Sequence, residues 1–122
     1  MSARELWLPW PPKECNPNAR VHWAIKRRAV QNARHEAYMC ALEARWNRVT
    51  WPEGRLYFWI DFFPPDRRAR DDDNLLSAFK PARDGISDAL GIDDKRVVSR
   101  PFVRDFDKLR KGTVRLRITG GP

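Results

Sequence analysis

The nine-residue run Arg55–Phe63, RLYFWIDFF, constrains the fold more than any other stretch of the chain. In an extended chain successive side chains point to opposite faces. Leu56, Phe58, Ile60 and Phe62 therefore share one face, and Tyr57, Trp59, Asp61 and Phe63 the other. Apolar groups on both faces predict a strand inside a sheet rather than at its edge. Trp51-Pro-Glu-Gly54 and Pro64-Pro65 bracket the run with residues that end regular structure. A chain of 122 residues built on such a strand has room for one domain, spanning residues 1–122, and little more.

The flanking segments predict what covers that strand. Residues 5–10 read as a short first strand stopped by Pro11 and Pro12, and the Pro and Asn residues of 13–19 as a loop. Residues 21–47 carry Ile25, Ala29, Ala33, Ala37, Ala41 and Ala44 at helical spacing, a small-residue stripe suited to close packing on a sheet. After the central strand, Leu75, Phe79, Ala82, Ile86 and Leu90 mark a second helix. Asn74 is placed to cap it and Gly91 to end it. Pro81 lacks the amide that would bond Ser77, which predicts a kink or a broken first turn. Residues 96–104 and 113–119 complete the set as extended segments, the last with Val114, Leu116 and Ile118 inward and Arg115 and Arg117 outward. The expectation is an α/β (α+β-like) layered domain, β-α-β-α-β-β, with a mixed four-stranded sheet and two main helices.

Charge narrows the function. Lys and Arg number 24 against 16 Asp and Glu, a balance of 24 − 16 = +8, which favours a polyanion, nucleic acid first and an anionic membrane surface second. No apolar run approaches the roughly 20 residues of a bilayer span. The opening Met1-Ser-Ala-Arg-Glu-Leu-Trp7 lacks a signal-peptide core, so a cytoplasmic location is expected. Cys15, Cys40, His22 and His35 match no zinc-finger spacing, and no nucleotide-binding glycine motif or Ser/His/Asp pattern is present.

The acids are unevenly placed. All five Glu occur at or before Glu53, and all eleven Asp at or after Asp61. Asp is a poor helix former that favours caps, turns and metal sites. In an extended run, Asp71 and Asp73 would lie about 6.5–7 Å apart on one side, with Asp72 opposite. Two carboxylates about 5 Å apart repel by roughly 3 kcal/mol at an effective dielectric of 20, which a hard divalent cation would relieve. The turn at Asp93-Asp94 could return to the same place if the helix packs back on the sheet. The alternative is a solvated loop in which Arg67, Arg68 and Arg70 neutralise the acids.

The run Asp66-Arg-Arg-Ala-Arg-Asp-Asp-Asp-Asn-Leu75, followed by a helix and Ile92-Asp-Asp94 before a strand, resembles the RusA family of Holliday junction resolvases. The opening Leu8-Pro-Trp-Pro-Pro12 is similar to that family's first strand, and the likeness spans nearly the whole chain. The resemblance implies a small homodimeric Mg2+-dependent endodeoxyribonuclease, with Mn2+ as a possible substitute, of the kind often carried by phages and prophages. Such enzymes resolve four-way DNA junctions in recombination and repair by paired symmetric nicks, and no small-molecule cofactor or membrane enters. It assigns Asp71, Asp73 and Asp94 as metal-binding carboxylates, with Asp93 adjacent. The family's catalytic lysine falls on Ser77 here, and Lys80, one helical turn on, takes its place.

DNA contacts would come from Arg67, Arg68, Arg70, Asn74, Lys95 and Arg96, and more widely from Lys26, Arg27, Arg28, Arg100, Arg104, Lys108, Arg110, Lys111, Arg115 and Arg117. Trp23, Trp46 or Trp59 could stack on unpaired bases, or belong to the core or a dimer interface. Other expectations open to test are a less selective nuclease for branched or single-stranded DNA, and a non-catalytic DNA-binding module.

Overall fold

The computed structural model describes residues 4–121; Met1–Ala3 of the opening segment and Pro122 lie outside them. Its elements follow the expected order: β1 (Leu6–Pro9), α1 (Trp23–Glu43), β2 (Arg55–Phe63), α2 (Asp72–Leu90), β3 (Val97–Val103) and β4 (Thr113–Gly121), with short 3-10 turns at Lys13–Cys15, Trp46–Arg48 and Asp94–Arg96. The sheet order is β1-β4-β2-β3. β2 is interior, as its two-sided apolar pattern required. It pairs in parallel with β3 through the α2 crossover and antiparallel with β4, which also pairs antiparallel with β1. Among the described residues no helix is long and apolar enough to cross a membrane.

Both helices pack on one face of the sheet. Leu56, Phe58, Ile60 and Phe62 are fully buried there, in one cluster with Leu6, Leu8, Val114, Leu116, the helix residues Ala37, Ala41, Leu75, Phe79 and Ile86, and Trp46. The alternate residues of β2 face the other way, in register with Arg115 and Arg117 of β4 and with Arg100 and Phe102 of β3. That second face is a layer of arginines and aromatic rings belonging to the strands and their connections. At its centre Asp61 is fully buried. It accepts from Arg104 Nε at 2.6 Å, Arg115 Nε at 3.0 Å and Arg117 Nη2 at 3.2 Å.

Three local expectations change. α1 stops at Glu43 rather than at 47, because Arg45 takes a left-handed conformation (φ 60°) and swings Trp46 into the core against Trp51. Ile25, expected on the packed stripe, is exposed, because α1 buries only Ala37 and Ala41. α2 runs unbroken through Pro81. Its packing through Leu75, Phe79 and Ile86 carries the helix past the one missing bond. Gly91 ends it as expected, left-handed at φ 66°, with its amide on the Asp88 carbonyl and that of Ile92 on the Ser87 carbonyl.

The helices meet closely at Gly85, where a Cβ would lie 2.1 Å from the Arg34 carbonyl oxygen. Alanine would gain about 1 kcal/mol in helix propensity, yet Gly85→Ala is expected to destabilise the protein by about 1–3 kcal/mol through overpacking. Urea unfolding measures this, and a neutral or stabilising change would contradict so tight a contact.

Candidate metal centre and its basic surroundings

One carboxylate organises the loop between β2 and α2. Asp66 accepts from Arg70 Nη1 at 2.8 Å, from the Arg68 amide at 2.9 Å and from Arg68 Nη2 at 3.2 Å. These bonds, that from Arg70 foremost, hold the Asp66 carboxyl well below the usual carboxylate range, because they favour its charged form. Arg70 also donates to the Arg68 carbonyl at 3.0 Å and lies over the Trp10 ring. Arg67 lies over the Phe106 ring, 4.5 Å from its centre. The arginines expected to flank the acids thus engage Asp66 and two aromatic rings.

α2 begins immediately after this loop. Asp71 is its N-cap, with Oδ1 accepting from the Asp73 amide at 2.8 Å. Asp72 and Asp73 form the first turn. One oxygen from each of Asp71, Asp72 and Asp73 lies within 4.8 Å of the others, and all three residues are exposed. Asp72 therefore joins the pair it was expected to oppose, because the alternation of an extended chain ends where the helix begins. Asn74 is correspondingly not the cap. It sits inside the helix and lines, with Asp71, a cleft of about 390 Å³ that Trp10, Lys13 and Arg68 also border. An open surface depression of about 410 Å³ joins Asp71 and Asp72 to Phe102 and to Arg104, just past the end of β3.

The cluster can exist without a cation. Repulsion between exposed carboxylates at this spacing is about 1 kcal/mol in water. The positive end of a helix returns about 0.3–1 kcal/mol per acid. Repulsion alone thus does not demand a metal. The donor set nonetheless suits one: three neighbouring carboxylates, each with an oxygen within 4.8 Å of the others, are of the ligand type that Mg2+ and Mn2+ take.

The remaining candidates lie elsewhere. The parallel register puts Val97 beside Leu56 and Val103 beside Phe62, so Asp93 and Asp94, just before β3, stand at the amino end of β2. Asp71 stands at its carboxyl end. The 19 residues of α2 between them span about 28 Å at a rise of ~1.5 Å each. The helix packs back on the sheet as expected, but a single traverse delivers the chain to the opposite end. Asp94 pairs with Arg83 at 2.8 Å, and Asp93 accepts from the Lys95 amide. Arg96 donates to the carbonyls of Gly54 and Pro52 at that same end. Lys80 projects beside Ser77, as its spacing implied, into a different cavity, and bonds Asp84 at 3.0 Å.

Lys13, which the sequence offered only as part of a loop, is the lysine that shares a cleft with Asp71. No local signal identifies it, since the contact joins the segment after β1 to the start of α2.

Fold and site together define a two-layer α/β domain with a carboxylate-bearing helix start on a basic body. No family model matches the sequence. Over 118 residues, 96% of this chain and 76% of the other, it is 52% identical to a protein of Xylella fastidiosa (strain Temecula1 / ATCC 700964) described as uncharacterized, and it belongs to that protein's family.

The loop geometry can be checked by carboxyl NMR. Asp66 is expected to titrate below the ordinary value of about 3.9. Arg70→Ala should move it back up, because the largest cause of the depression is removed. The favourable contribution of these bonds is present above that ordinary value and disappears as pH falls through the depressed one. An unshifted Asp66 in the unmodified protein would contradict the arrangement.

Proposed function

We propose that the protein is a divalent-metal-dependent endonuclease that resolves four-way DNA junctions in the cytoplasm by paired symmetric nicks. The observation that carries this reading is the convergence of Asp71, Asp72 and Asp73 at the start of α2 on a chain of net charge +8. These residues would hold Mg2+ or Mn2+, and when bound the ion would supply an activated water and neutralise charge on the scissile phosphate. Asp71 keeps one oxygen for this role while the other caps the helix. Lys13 and Arg68 border the adjoining cleft, where they would draw the phosphate toward acids that otherwise repel it. Lys13 replaces Lys80 in this reading, because Lys80 is paired with Asp84 in another cavity.

Asp94 enters such a site only from a second copy of the chain. Two copies related by a twofold axis, with their α2 helices antiparallel, would set Asp94 of each beside Asp71 of the other. A C2 dimer with two such sites suits the near-twofold symmetry of a four-way junction.

Asp73→Asn is expected to lower Mg2+-dependent nicking of a mobile junction at least about 100-fold while leaving junction binding in EDTA unchanged. Unchanged nicking would refute the metal assignment, and equal cutting of junction, flap and duplex would refute junction selectivity. Asp94→Asn alone should be equally inactive. Mixing it with Asp73→Asn should restore up to about a quarter of the active sites, since a mixed dimer reunites one intact pair. No restoration would place Asp94 outside the site. The satisfied helix start also suits a non-catalytic DNA-binding module. Metal-independent junction binding with no cleavage of any substrate would favour that second reading.

A further inference from the structure

The sheet face opposite the helices carries a transverse row that the acid cluster does not use. Trp7, Arg115, Asp61 and Phe102 are register neighbours across β1, β4, β2 and β3. At a strand spacing of about 4.8 Å, the two rings stand roughly 14 Å apart. Trp7 and Phe102 at its ends are exposed, 41% and 38%, and each has an arginine against its ring: Arg115 over Trp7 and Arg104 over Phe102. Trp59 extends the aromatic surface by stacking on Phe102, with planes 15° apart. The acid at the centre is wholly buried and already met by Arg104, Arg115 and Arg117. Trp7 also stacks on Phe63, with ring centres 5.8 Å apart, so each ring already carries an aromatic neighbour and an arginine, and what this row offers to solvent is the exposed remainder of the two rings and guanidinium charge.

We propose that this face binds single-stranded nucleic acid, with bases stacked on Trp7 and Phe102 and phosphates over the arginines between them. Rings accept any base, and the guanidiniums supply sequence-independent attraction for the backbone. A second copy of the chain is the poorer occupant. A twofold contact through this face would appose two arginine-rich patches, and like charges apposed at an interface oppose association. Phe102 and Arg104 also border the depression shared with Asp71 and Asp72, so a strand leaving the face over β3 would reach the acids. This goes beyond the nuclease reading and does not depend on it, because binding here needs no metal.

The test is fluorescence anisotropy of a labelled oligo-dT 12-mer in EDTA, with Trp7→Ala, Phe102→Ala and Arg100→Ala each checked for an unchanged melting temperature. Each aromatic variant should weaken binding by at least about fivefold. Arg100→Ala, which removes an exposed charge in register with Trp59, should lower the salt slope by about 0.7. Wild-type affinity in both folded aromatic variants would overturn the proposal. So would a wild-type dimer that Trp7→Ala splits in sedimentation while oligo-dT affinity stays constant. Loss of oligo-dT binding in the aromatic variants with junction nicking intact would support a binding face separate from the metal site.

Discussion

The Asp61 carboxylate, fully buried in the middle of the central strand and met by three guanidiniums, is the interaction on which the rest of the molecule depends. Removing a charge from water costs several kcal/mol unless it is closely matched. The matching groups come from the end of β3 and from β4, so one side chain links β2 to its parallel and its antiparallel neighbour. The arginines remain partly exposed, at 41%, 22% and 34%, and keep some of their hydration. Three positive charges against one buried negative leave +2 in this network, part of which Glu5 meets at 3.8 Å from Arg115. The network that completes the sheet also makes its uncovered side basic.

Much of the architecture was legible because period and breakers are local signals. The two-sided apolar run of β2 put it in the sheet interior, and the alternation of β4 put Val114 and Leu116 inward and Arg115 and Arg117 outward, where they lie. The same alternation hid the importance of Asp61. In sequence it is one polar residue among aromatic ones, and its partners are 43 to 56 positions away. That both helices choose the same face was equally unreadable, since each face of β2 is apolar enough to take them.

The candidate site was legible as composition more than as geometry. The crowding of aspartates before α2 was visible, but where the helix begins decides which of them converge, and the helix took in Asp72. The return of Asp93-Asp94 failed for a topological reason. A parallel β-α-β crossover delivers the chain to the amino end of the next strand, so acids before and after one helix lie at opposite ends of it. Lys13 carries no motif, and only the folding of the segment after β1 against the start of α2 brings it to the cleft.

The sheet face opposite the helices thus gathers arginines around one buried aspartate, while three exposed aspartates stand at the start of α2 with Lys13 and Arg68 on the adjoining cleft. The central claim is that this helix start selects a divalent cation, and amide line-broadening on titration with Mn2+ tests it most directly. Broadening should centre on Asp71, Asp72 and Asp73, be displaced by excess Mg2+, and disappear in Asp73→Asn. Broadening that is absent there, or that centres equally on exposed acids elsewhere, would contradict the account.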